Sequence, residues 1–185
     1  VTFDIYGLAL LAEYFVKSSI AADFATQLVI VAISMSQAYL FTLTLVTLID
    51  VEFLSVRRLR AEAVLPLLAT VAAFTAGALC PVAWHIFIIV AYQVAYALLL
   101  LHYIHLFRRH YAYYKQRMDN YFSDEKQHRL HWVRNSFRWS LGIGVVALVY
   151  SIIPCEATSL PFMLAAVSYY MFYGIHFINY AHIFP

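Results

Sequence analysis

The chain has 185 residues, 64% of them hydrophobic and only 12% charged, with a formal net charge of +2. Soluble domains run at roughly 45–50% apolar and about 25% charged residues, so an ordinary water-soluble domain is excluded and lipid is the expected solvent. The chain begins at Val1, without the charged start, apolar run and small-residue site of a cleavable signal, and is therefore expected to be part of something longer.

A spanning helix needs about 20 mainly apolar residues, and six such segments are predicted along the chain. The first, residues 2–17, holds Asp4 and Glu13 and ends at Lys17. Two carboxylates are costly in hydrocarbon. Glu13 and Lys17, one helical turn apart, can pair on the same face, and a proton-relay role for Glu13 is the functional alternative. The second segment, 24–50, runs from Phe24 to Ile49 without a charged residue. The third, 63–80, is stopped by Pro81, because proline cannot continue helical hydrogen bonding. The fourth, 83–107, stays apolar to Phe107; the fifth, 137–154, is ended by Pro154; the sixth is 159–182. Ser140 and Gly144 form a small-xxx-small step suited to close helix packing. Open strands cannot satisfy their backbone groups in a bilayer, and the runs lack the alternation of barrel strands. The expected fold is an all-α polytopic membrane bundle, a single domain over 1–185 with about six transmembrane helices.

Orientation follows from the twelve lysines and arginines. Arg57, Arg58 and Arg60 lie between the second and third segments. Arg108, Arg109, Lys115, Arg117, Lys126, Arg129, Arg134 and Arg138 flank or separate the fourth and fifth. In a six-span arrangement all but Lys17 fall on one side. Positive charge marks the cytoplasmic side, so both termini are expected in the cytoplasm, with short outer connections at 18–23, 80–83 and 154–159.

The stretch from Phe107 to Trp139 is basic and aromatic and contains no Gly or Pro. Ser123 before Asp124 and Glu125 has the character of a helix start, a capping hydroxyl followed by acids at the positive end of the helix dipole. A cytoplasmic helical hairpin over 108–136, turning near residues 121–123, is expected between the fourth and fifth helices. Each arm would reach about 20 Å beyond the membrane. A solvated loop that binds lipid headgroups is the simpler reading of the same charges. Basic patches also suit nucleic acid, but here the charges flank membrane spans, and topology accounts for them first.

The segment NYFSDEKQHRLHWVRNSFRW at 120–139, following an aromatic-rich basic helix and followed by a hydrophobic hairpin that ends in FINYAHIFP at 177–185, resembles membrane-anchored regulators of gut bacteria. These proteins carry an N-terminal polytopic membrane domain and a C-terminal AraC-type helix-turn-helix DNA-binding domain. The resemblance covers 107–185; over the first hundred residues it rests on hydropathy alone. It implies a sensor or anchor half in the bacterial inner membrane, a homodimer as the working assembly, and no direct nucleic-acid contact from these residues, since the chain stops at Pro185 where the DNA-binding part would follow.

Polar residues at membrane depth are expected to face the bundle interior. Tyr169, Tyr173, His176 and Tyr180 recur at helical spacing on the sixth segment. Tyr92, Tyr96 and Tyr103 do so on the fourth, with Gln93 beside them, and Ser34 and Gln37 lie on the second. Gln37, Tyr92, Gln93, Tyr96, Tyr169, Tyr173 and His176 could line an interhelical ligand pocket or hydrogen-bond the helices together. His102 with His105, and His128 with His131, have a spacing that metals use, but neither pair encloses a carboxylate and the long multi-histidine boxes of membrane desaturases are absent. Haem would require two facing histidines, such as His102 and His176. Interfacial histidines with wet tips are the plainer reading, and neither metal nor cofactor is expected. No Walker loop, nucleotide fingerprint, zinc-protease motif or serine-hydrolase elbow is present, so no enzymatic activity is expected.

The two cysteines, Cys80 and Cys155, each adjoin a proline at the outer end of a predicted helix. A disulfide there would face an oxidising compartment and close a loop of more than 70 residues, stabilising by roughly 4 kcal/mol. Two separate packed thiols are the alternative. The function expected from all of this is a membrane-embedded sensory and anchoring domain that passes an unidentified small-molecule or membrane signal to a cytoplasmic DNA-binding domain. A small transporter or membrane enzyme built on the Tyr/His pocket, or a structural subunit of a membrane complex, are the alternatives.

Overall fold

The computed structural model describes residues 20–49, 55–119, 124–152 and 164–175, and every regular element among them is helical. Helix α1 covers Ile20–Ile49, where the second apolar segment was expected. Helix α2 covers Val56–Leu79 and so starts earlier than the apolar run beginning at residue 63. The reason is a local cap. Ser55 is extended (φ −85°, ψ 135°) and its hydroxyl oxygen accepts from the Arg58 N–H at 3.3 Å, which satisfies one of the orphan donors of a helix start. The three arginines of this region therefore ride on the first turns of α2. Pro66 lies inside α2 and is buried. It has no N–H for the Glu62 carbonyl, an omission that membrane helices tolerate. At the other end Cys80 turns extended, its N–H bonds to Ala76 at 2.9 Å, and Pro81 leads into a 3₁₀ turn, Val82–Trp84. Helix α3 follows, His85–Asp119. Its 35 residues span about 52 Å, against a hydrocarbon thickness of about 30 Å. Helix α4 is Asp124–Ile152 and α5 is Leu164–Ile175.

Among the described residues, three stretches, Phe24–Ile49, Arg57–Leu79 and Val82–Gln116, are long and apolar enough to cross a membrane. Their exposed faces carry Leu65, Leu67, Leu68 and Val71 on α2, and Ile86, Phe87, Val90 and Val94 on α3. A continuous apolar exterior of this kind suits acyl chains and not water. The apolar half of α4 and the shorter α5 occupy parts of the fifth and sixth predicted segments. The first segment, the turn at 121–123 with Ser123, and residues 153–163 and 176–185 lie outside the described residues.

The chain divides into two compact units, Val1–Ser151 and Ile152–Pro185. In the first, α1 and α2 run antiparallel. Near one end the Tyr39 hydroxyl donates to the Leu59 carbonyl at 3.0 Å. Near the other, Phe24 stacks on His85 with ring centroids 4.0 Å apart and lies so close to Gly77 that a Cβ there would sit 2.8 Å from the ring. The core of this unit joins Leu28, Val31 and Met35 of α1 and Ala73 of α2 to a stripe on α3 that includes Ile89, Tyr92, Tyr96, Leu99 and Tyr103. Helices α3 and α4 also run antiparallel: Phe107 stacks on Phe137 at 3.8 Å, while Tyr96 and Gln93, earlier on α3, meet Gly144 and Ser151, later on α4. In the second unit Ala166, Tyr170 and Tyr173 are buried, and Tyr169 stacks on Tyr173 at 6.3 Å.

Candidate functional site

The polar residues of the fourth segment lie buried in the first unit and link helices. Tyr92 and Thr70 share a hydroxyl–hydroxyl hydrogen bond of 2.8 Å between α3 and α2. Gln93 donates its amide N–H to the Ser151 carbonyl at 2.8 Å, and Tyr96 donates to the Gly144 carbonyl at 3.0 Å. Gly144 is small for a reason visible here, since a Cβ would meet both the Tyr96 hydroxyl and Leu100 at 3.2 Å. Gln37 and Ser34 are buried on α1. Other hydroxyls in the apolar helices are satisfied locally. Ser36, Thr44 and Thr75 each bond a carbonyl one turn back, at 2.7–2.8 Å, a device that lets a hydroxyl sit in an apolar medium. Tyr169 and Tyr173 belong to the second unit, and His176 lies outside the described residues. Cys80 is a free, exposed thiol; Cys155, its proposed partner, also lies outside the described residues.

A second polar cluster forms where the start of α2 lies beside the basic part of α3. Arg58, Ala61 and Glu62 from α2 and Leu106, Arg109 and His110 from α3 line a groove of about 330 Å³. One turn before Leu106, His102 Nε2 lies 2.9 Å from Glu62 Oε2. The His102 and Glu62 side chains are 47% and 22% exposed, so the pair is near-surface and contributes about 0–1 kcal/mol when the imidazole is protonated. Tyr103 beside it is 1% exposed, and its buried hydroxyl has no hydrogen-bond partner among the described residues.

Arg58 and Arg109 lining one groove means that the basic residues of α2 and of α3 meet at the same end of the first unit. The role of Glu62 was not foreseen. It supplies a carboxylate to His102 from a different helix, and its one sequence signal was an isolated acid a turn after Arg58. His131 of the other histidine pair contacts Arg134 at 3.0 Å, and His128 lies outside the side chains described. Among the described residues no three His, Cys, Asp or Glu side chains come together as a metal site. No protein-family profile, no curated protein and no solved structure matches this chain.

Proposed function

We propose that the chain is the membrane-embedded signal-input and anchoring domain of a one-component transcriptional regulator in a bacterial inner membrane. It would cross the bilayer six times with both termini cytoplasmic, and the 108–136 hairpin would stand in the cytoplasm. The observation that carries the reading is the continuity of α3. One unbroken helix holds the buried Tyr92–Tyr103 stripe and the basic stretch beginning at Arg108. A change of packing around the tyrosines moves that basic end with it, and α4, antiparallel to α3, carries the movement back. The sequence resemblance over 107–185 supplies the output, an AraC-type DNA-binding domain in a homodimer. A stimulus can drive such a change only by binding one packing better than the other.

Two measurements test this reading. In the first, a membrane-impermeant maleimide is applied to spheroplasts. Labelling of Cys80 is expected, because its free thiol is exposed at the end of α2 opposite the arginines; labelling only after lysis overturns the orientation. In the second, the endogenous full-length protein is tagged and crosslinked to chromatin. Enrichment of discrete promoter regions is the expected result, and uniform background across the genome overturns the regulator reading.

A further inference from the structure

We propose that the groove between the start of α2 and the basic part of α3 is a binding site for a phosphate ester, with Arg58 and Arg109 holding the phosphate. The two guanidiniums come from different helices and line the same groove as His110. Arginine presents planar paired donors that match a phosphate. The groove also has an apolar wall, with Leu106 on one helix and Ala61 on the other. Farther along each helix from the groove, in its apolar part, Leu98 and Leu101 of α3 and Leu65 and Leu68 of α2 are exposed. A ligand with a phosphate at one end and a hydrocarbon chain at the other fits this sequence of surfaces. Basic pockets between membrane helices are where anionic headgroups bind. A soluble phosphate ester presents the same group to the arginines without using the apolar wall. Glu62 lines the groove as an opposing charge, held toward His102 by the 2.9 Å contact. It keeps the groove from being a simple cationic patch and tunes the affinity downward. The site stands on the groove itself and holds whether or not the chain drives transcription.

The test uses the purified full-length protein in detergent micelles, with native mass spectrometry as the readout of retained ligand. Phosphatidylglycerol, phosphatidylcholine and glycerol phosphate are titrated separately. The expected result is preferential retention of phosphatidylglycerol over phosphatidylcholine. The double variant Arg58→Ala/Arg109→Ala should lose about 25-fold in phosphatidylglycerol affinity, taking roughly 1 kcal/mol for each basic residue near an anionic lipid. Arg60→Ala, on the same helix but outside the groove, should leave affinity unchanged. Glu62→Gln keeps the side-chain shape, removes the opposing charge and should raise affinity several-fold, which keeps the proposal testable if the double variant folds poorly. Glycerol phosphate binding as tight as the lipid, and lost in the same double variant, assigns the site to a soluble ester; weak binding of it assigns the site to the headgroup. Equal losses from Arg60→Ala and the double variant, or weaker binding by Glu62→Gln, overturn the proposal.

Discussion

The membrane-competent stretches of α1 and α2, 26 and 23 residues long, are alike in apolar character, yet the two helices occupy opposite situations in the bundle. Of the most apolar stretch of each, 44% is buried in α1 and 11% in α2. Val31, Leu45 and Val46 of α1 are fully enclosed, whereas Leu65, Leu67 and Leu68 of α2 are more than half exposed. What separates the two helices is where their polar and small residues lie. Buried Ser34, Gln37 and Thr42 are spread along the middle of α1. On α2, Thr75 is exposed and bonded back to its own helix, and the inward contacts come from Thr70, Ala73 and Gly77. Apolar content states which solvent a helix tolerates. In lipid there is no hydrophobic drive between helices, so packing and interhelical hydrogen bonds decide which helix lies inside.

The largest expected effect tests the contrast directly. Leu45→Ala on α1 should cost about 2 kcal/mol or more, the lower part of the range for a buried leucine, because lipid replaces water as the reference medium. Leu67→Ala on α2 should stay within about 0.5 kcal/mol. Equilibrium unfolding of both variants in mixed micelles measures the difference, and equal losses would mean that α2 is covered by another element in the membrane.

A smaller effect is expected where α2 does touch α1. Gly77→Ala forces a methyl against the Phe24 ring, which is itself stacked on His85. The cost should be about 1–2 kcal/mol, as for modest overpacking. Gly142→Ala, on α4 with nothing within 4 Å of the added carbon, should instead stabilise by up to about 1 kcal/mol through helix propensity. Thermal melting of the two variants sharpens the comparison, and a neutral Gly77→Ala would show that the Phe24 ring moves aside at little cost.

The smallest effect concerns the hydrogen bond between α2 and α3. A double-mutant cycle of Thr70→Val and Tyr92→Phe should give a coupling of about 0.6 kcal/mol, the average for such bonds in a membrane protein. A coupling indistinguishable from zero would leave α2 held mainly by the contact at Gly77 and by the groove end.

By itself the sequence determined the solvent, the helical class and several boundaries. Long apolar runs need helices in lipid because each backbone group must be paired within its own segment. Pro81 marks the end of α2 and the turn into α3 because a missing N–H is a local property. A gathering of arginines at the membrane edge was expected for a similar reason, since charge cannot rest in hydrocarbon, and Arg58 and Arg109 line one groove. The start of α2 is not visible in hydropathy, which sees only the apolar run, while Ser55 caps a helix that begins in the polar residues before it. Tertiary structure alone decided which faces are interior and what the buried polar groups bond to. Tyr92, Gln93 and Tyr96 could be singled out by depth and spacing. Two of their acceptors, the carbonyls of Ser151 and Gly144, could not, because every residue carries a carbonyl and only packing selects one. The Glu62–His102 contact, across 40 residues of sequence, and the groove beside it exist because the bend at Pro81 returns α3 alongside α2, and no local pattern encodes the register in which the two helices meet.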